Sequence, residues 1–155
     1  MRLRLVAVGT RTPGWVDTGF ADYARRLPRD CPLELVQVAA ADRRKGRGAS
    51  RCCEEEADRL LAAAGRNVRL IALDVQGREV CTEELSRQLA TWRMDGRDVA
   101  LLVGGPDGLA PRCLEKAEWC WSLSRLTLPH ALVRVVVAEQ VYRAWTLMTG
   151  HPYHR

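Results

Sequence analysis

The sequence predicts an α/β fold, a mainly parallel sheet with helices on both faces. Short β-branched and leucine-rich runs recur along the chain, segments of helical periodicity separate them, and some runs are continuously apolar rather than alternating. Leu3 to Val8 is the first strand, ended by Gly9. Trp15 to Leu27 carries apolar residues three and four apart and reads as an amphipathic helix. Leu33 to Val38 is the second strand, and Arg51 to Ala64 the second helix, with Glu54, Glu55 and Glu56 in an early turn. Val68 to Leu73 forms the third strand. Glu83 to Arg93 follows as a helix that Thr82 is placed to cap. The fourth strand, Val99 to Val103, is wholly apolar, as a strand covered on both faces should be. Leu123 to His130 alternates as a strand would and halts at Pro129. Leu132 to Leu147 then leaves hardly any polar face. It fits a buried helix covered by a second copy of the chain, or a central strand at Val133 to Val137 before a shorter helix, and periodicity does not separate the two.

A chain of 155 residues without internal repeats or a linker suits one domain, residues 1–155. No apolar run approaches the roughly 20 residues needed to cross a bilayer, which excludes a membrane helix. The opening residues lack the long apolar stretch of a secretory signal. Cys31, Cys52, Cys53, Cys81, Cys113 and Cys120 form neither C-x-x-C pairs nor a zinc spacing with histidine. They read as reduced thiols packed as small apolar side chains, implying a cytoplasmic protein with no metal.

The net charge of +5 favours an anionic partner, and its distribution is more telling than its size. Arg43, Arg44, Lys45 and Arg47 crowd a glycine-containing loop suited to phosphates, although such a run is as often a solvated loop. Val103-Gly104-Gly105-Pro106-Asp107-Gly108 follows the fourth strand, at the carboxyl edge where α/β proteins bind ligands. It is neither G-x-G-x-x-G nor a Walker loop, which disfavours a nucleotide-phosphate site, and alone it could be a plain turn. Leu73-Asp74-Val75-Gln76-Gly77 places a second glycine turn at the same edge, and the segment ending at His130 supplies a third loop. Three loops at one edge fit a pocket for an adenosine-like ligand.

The runs LVAVGT, LLVGGPDGL, LSRLTLPHALVRVVVAEQVYRAW and HPYHR, taken in order over essentially the whole chain, resemble one family. It is the small RlmH type of SPOUT methyltransferase, which methylates N3 of a pseudouridine in 23S ribosomal RNA. The resemblance implies a single SPOUT domain with a C-terminal trefoil knot, a topology that physical argument alone would exclude. It implies a homodimer acting on the assembled ribosome with S-adenosyl-L-methionine as cofactor. The cofactor pocket it implies uses Leu73, Gly104, Gly105, Leu123, Ser124, Arg125, Leu126, Thr127 and Leu128, largely through backbone. Tyr153, His154 and Arg155 would help to build the substrate site across the dimer, with His130 as a further catalytic candidate. RNA contacts would fall to Arg43, Arg44, Lys45, Arg47 and Arg143. Simpler roles stand beside these. Glu139 and Arg143 are spaced as an ordinary helical ion pair, and His130 could cap a helix. A non-enzymatic RNA-binding module and a small-molecule enzyme are the competing functions, separable by cofactor binding and by substrate.

Overall fold

The computed structural model describes residues 1–44 and 46–154, His154 in backbone only. The chain runs β1 (Leu3–Val8), α1 (Gly14–Ala24), β2 (Leu33–Val38), α2 (Ala49–Ala64), β3 (Arg69–Glu79), α3 (Thr82–Asp95), β4 (Val99–Val103), α4 (Pro111–Lys116), β5 (Trp119–Ser122) and α5 (His130–Thr149), then a 3-10 turn at Pro152–His154. The five strands form one sheet in the order β2-β1-β4-β3-β5, every neighbouring pair parallel. The expected α/β class is observed.

Strand alternation divides the interior into two layers. Leu3, Leu5, Ala7, Val99, Leu101 and Val103 face α1, α3 and α5, where Phe20, Leu89, Trp92, Val137 and Val141 are buried. Val6, Val8, Ala100 and Leu102 face α2 and α4, meeting Cys53, Ala57, Leu60 and Cys113. All five residues of β4 are buried, which is why that strand lacks polar alternation. The six cysteines are free, and Cys31, Cys52, Cys53 and Cys113 are buried as the composition implies.

Several elements differ from expectation. The first helix stops at Ala24 rather than Leu27, since Pro28 disfavours helical backbone just before it. Thr82 is the first residue of α3 and not its cap; Cys81 holds that position, and Glu84 reaches back to accept its N–H at 3.1 Å. The third strand does not end at Leu73. It bulges over residues 74–77 and rejoins β5 at Arg78, where a Cβ on Gly77 would lie 2.7 Å from the Trp121 carbonyl carbon. Leu123 to Pro129 is a loop and His130 opens α5; the strand precedes the loop as β5, whose Trp119 and Trp121 rings stack at 5.6 Å. The six-residue α4 had no periodic signal. Val133 to Val137 is helical, so α5 is one helix of 20 residues.

Candidate active site

Three loops leave the carboxyl edge of the sheet after β3, β4 and β5. With the first turn of α5 they enclose a cleft of about 580 Å³. The middle loop is the tightest. The Gly108 N–H donates to the Gly105 carbonyl at 3.0 Å, closing a turn with Pro106 second and Gly108 at φ +81°. A Cβ on Gly104 would lie 2.4 Å from the Gly108 carbonyl carbon, so only glycine fits there. In the third loop, the Ser122 hydroxyl donates to the Ser124 carbonyl at 3.1 Å, and the Leu126 N–H donates to the Ser124 hydroxyl at 2.9 Å. Val75 and Leu126 line the cleft while remaining 63% and 74% exposed, giving it an apolar mouth.

The cleft gathers most of the residues that the sequence nominates for the cofactor: Leu73, Gly104, Gly105, Leu123, Ser124, Leu126, Thr127 and Leu128, together with His130. Arg125 is the exception. Its side chain is 92% exposed, lies 3.3 Å from Glu79 and does not line the cleft, so only its backbone belongs to the loop. The lining carries Asp74 and Asp107 and, among the described residues, no lysine or arginine. That charge pattern suits a neutral or cationic ligand and opposes a phosphate chain. The first turn of α5, whose His130 and Val133 line the cleft, has no side-chain cap on its backbone N–H groups.

Tyr153 stands elsewhere. The 3-10 turn folds it back along α5, where its hydroxyl donates to Glu139 Oε1 at 3.2 Å and its ring meets that of Tyr142 at 4.7 Å. Burial, with Tyr23 and Glu139 adding to it, pushes the Tyr153 phenol above its ordinary range, so it remains a protonated donor. Glu139 lies about 14 Å along the helix axis from His130 at 1.5 Å per residue, so the two catalytic candidates do not meet within one chain. The His154 side chain and Arg155 lie outside the described residues.

The basic segment divides. Arg44 projects with 88% of its side chain exposed, paired to Asp42, whose carboxyl that contact holds down at about 2. Arg47 lies 3.1 Å from Glu55. Arg43 turns inward to Glu56 and Asp107, so that two carboxylates occupy its guanidinium. Lys45 lies outside the described residues. Arg143 is held by Glu139 at 2.6 Å, the ordinary helical pair its spacing allowed, and sits over the Tyr153 ring at 5.1 Å. Among the described residues no three His, Cys, Asp or Glu side chains converge into a metal-holding group.

A family model described as "Predicted SPOUT methyltransferase" matches residues 1–154. The chain belongs to the SPOUT methyltransferase family. Among solved structures, a probable methylase family protein from Haemophilus influenzae superposes with TM-score 0.58 at 13% identity, covering 99% of this chain and 70% of that one. TrmJ from Z. mobilis superposes with TM-score 0.52 at 18% identity, over 92% and 70% of the two chains. At such identities these likenesses concern the fold. This SPOUT chain is accordingly a methyltransferase of a class that uses S-adenosylmethionine, with RNA the substrate class its family suggests.

Two supporting residues escaped the sequence reading. Arg134 is fully buried in α5, and its Nη2 donates to the Val8 and Gly9 carbonyls at 3.0 and 2.8 Å, tying the cleft end of α5 to the end of β1. Burial lowers its pKa, the expected response of a cation held away from water. Glu56, one of the three acids placed in an early turn of the second helix, is also buried. Its position in phase with Cys52, Cys53, Ala57 and Leu60 on the inward face of α2 was the available signal.

Proposed function

We propose that this SPOUT methyltransferase transfers a methyl group from S-adenosyl-L-methionine to N3 of a pseudouridine in 23S ribosomal RNA, as a single-domain, knotted homodimer working on the assembled ribosome in the cytoplasm. The observation that carries the reading is the cleft itself, where loops bearing the GGPDG and LSRLTLPH runs meet. Its residues fit the cofactor. Leu73, Leu123, Leu126 and Leu128 can enclose an adenine, while the backbone at Gly104, Gly105, Ser124, Arg125 and Thr127 offers directional donors and acceptors. Asp74 favours the positive sulfonium, Asp107 being paired with Arg43 behind the turn, and the uncapped first turn of α5 suits the cofactor's carboxylate. Bound there, the cofactor supplies an electrophilic methyl group.

The residues of this chain have three tasks: to orient the base, to favour loss of its N3 proton and to exclude water. In this reading His130, which lines the cleft, accepts that proton, and the Leu126 and Val75 mouth shields the site. The segment from Tyr153 to Arg155 adds a phenolic donor, an imidazole and a guanidinium suited to a flipped base and its developing negative charge. Since Tyr153 lies away from the cleft of its own chain, a second copy delivers this segment in the proposed dimer. The half-exposed Leu132, Val135 and Val136 on α5 give that copy an apolar surface to meet. Arg44, Arg47 and Lys45 hold neighbouring phosphates.

Labelled methyl transfer to ribosomes containing the pseudouridine, beside matched ribosomes that lack it, tests the proposal. Incorporation as N3-methylpseudouridine only in the first set supports it. Equal labelling, or labelling of another base, rejects the substrate while leaving the methyltransferase class intact.

A further inference from the structure

Within the run of cations that reads as a nucleic-acid loop, Arg43 is bound into the protein. Its Nε donates to Asp107 Oδ2 at 2.8 Å, its Nη1 to Glu56 Oε1 at 2.7 Å and its Nη2 to Glu56 Oε2 at 3.2 Å. One planar guanidinium thus spans two carboxylates, a geometry that lysine cannot reproduce. Glu56 is only 1% exposed and also accepts the Ala41 N–H at 2.9 Å, so it is held from two directions. Asp107 belongs to the tight glycine turn and lines the cleft. Gly105 presses on the same carboxylate from the other side, since a Cβ there would lie 3.0 Å from Glu56 Oε2. The Cys53 thiol approaches the Asp107 and Gly108 carbonyls at 3.7 Å.

We infer that Arg43 and Glu56 are positioning residues for the cofactor, an ionic strut from α2 through the basic loop that holds the Gly104–Gly108 turn in its ligand-ready shape. The inference rests on the proposed cofactor reading. Without the strut, Asp107 and the turn it anchors sample other positions, and the lost preorganisation appears as weaker binding. The basic loop is therefore joined mechanically to the cofactor cleft, with Arg43 facing inward and Arg44 outward.

Calorimetric titration of the full-length protein with S-adenosylhomocysteine, beside thermal melts, tests the strut. Arg43→Ala and Asp107→Ala should each weaken binding about tenfold, the scale of one charge-assisted contact. The double variant should be scarcely weaker than either single one, because both remove the same link. Arg43→Lys should recover only part of the loss. Arg97→Ala, which breaks ion pairs to Asp95 and Glu118 at the far edge of the sheet, should leave affinity unchanged. Where Arg43→Ala fails to fold because Glu56 is left buried and charged, Arg43→Ala with Glu56→Gln removes that charge and reports instead. Wild-type affinity in the folded Arg43 variants, or additive losses in the double variant, overturns the strut alone. A wild-type protein that binds no S-adenosylhomocysteine overturns the cofactor reading and the strut with it.

Discussion

The two edges of the sheet are built by opposite means. At the amino edge, arginines and carboxylates interlock: Arg69 with Asp95 and Glu118, Arg97 with the same two acids, and Arg93 with Asp30. At the carboxyl edge just over half of the cleft lining is glycine, leucine, serine and proline, and the Arg43 strut acts from behind the turn. The first edge ties helix ends to strands and can exchange parts at small cost. The second is shaped by backbone approaching backbone, where a single methyl group has no room. Tolerance should therefore differ sharply between them, in affinity at one edge and in modest stability at the other.

The largest effect should come from Gly104→Val. Its branched side chain collides with the Gly108 backbone, and affinity for S-adenosylhomocysteine should fall at least about 100-fold by calorimetry. Retained affinity would show that the turn does not need to be so close. Replacing His154 and Arg155 together by alanine should lower the methyl-transfer rate about 100-fold while leaving cofactor affinity unchanged, because those groups are assigned to the base rather than the cofactor. A matching loss of affinity would move them into the cofactor site.

The amino edge offers the smaller effects. Cys31, buried just before β2, has its thiol pushed up to about 11 from an ordinary 9, chiefly by burial. Because the folded state holds that proton more tightly, its contribution is fully present below pH 9 and is lost as pH rises through 11. The loss amounts to about 3 kcal/mol, which denaturant melts of wild type and Cys31→Ala across that window should reveal as a difference in slope. Arg69→Ala should reduce stability by about 1 kcal/mol with no change in cofactor affinity, since its partners are half-exposed and screened.

The same contrast governs what the sequence discloses. Three strands have the ranges that composition gives them, because short β-branched and leucine-rich runs bounded by turn or charged residues report a strand directly. The edge at which three loops converge follows from parallel pairing and strand order. The bulge after Leu73 and the displacement of β5 to Trp119 are hidden, since both depend on how the chain rejoins a neighbouring strand. A helix and a strand were equally consistent with Val133 to Val137; packing of α5 on α1 and α3 decides the matter. Arg43 shows the limit most clearly. The residues that follow it, Arg44 and Lys45, are cations, whereas its partners, Glu56 and Asp107, lie further along the chain, and only the fold brings them together.

The proposed site takes its cleft from one copy and its Tyr153-to-Arg155 segment from another, a claim that mixed dimers test most directly. Gly104→Val protomers and protomers carrying both His154→Ala and Arg155→Ala should each be inactive in methyl transfer to ribosomes when assayed alone. Refolded together in equal amounts they should recover about a quarter of wild-type activity, because half the dimers are mixed and each mixed dimer holds one complete site. Mixed dimers that form in full yet remain inactive would contradict a site shared between two chains.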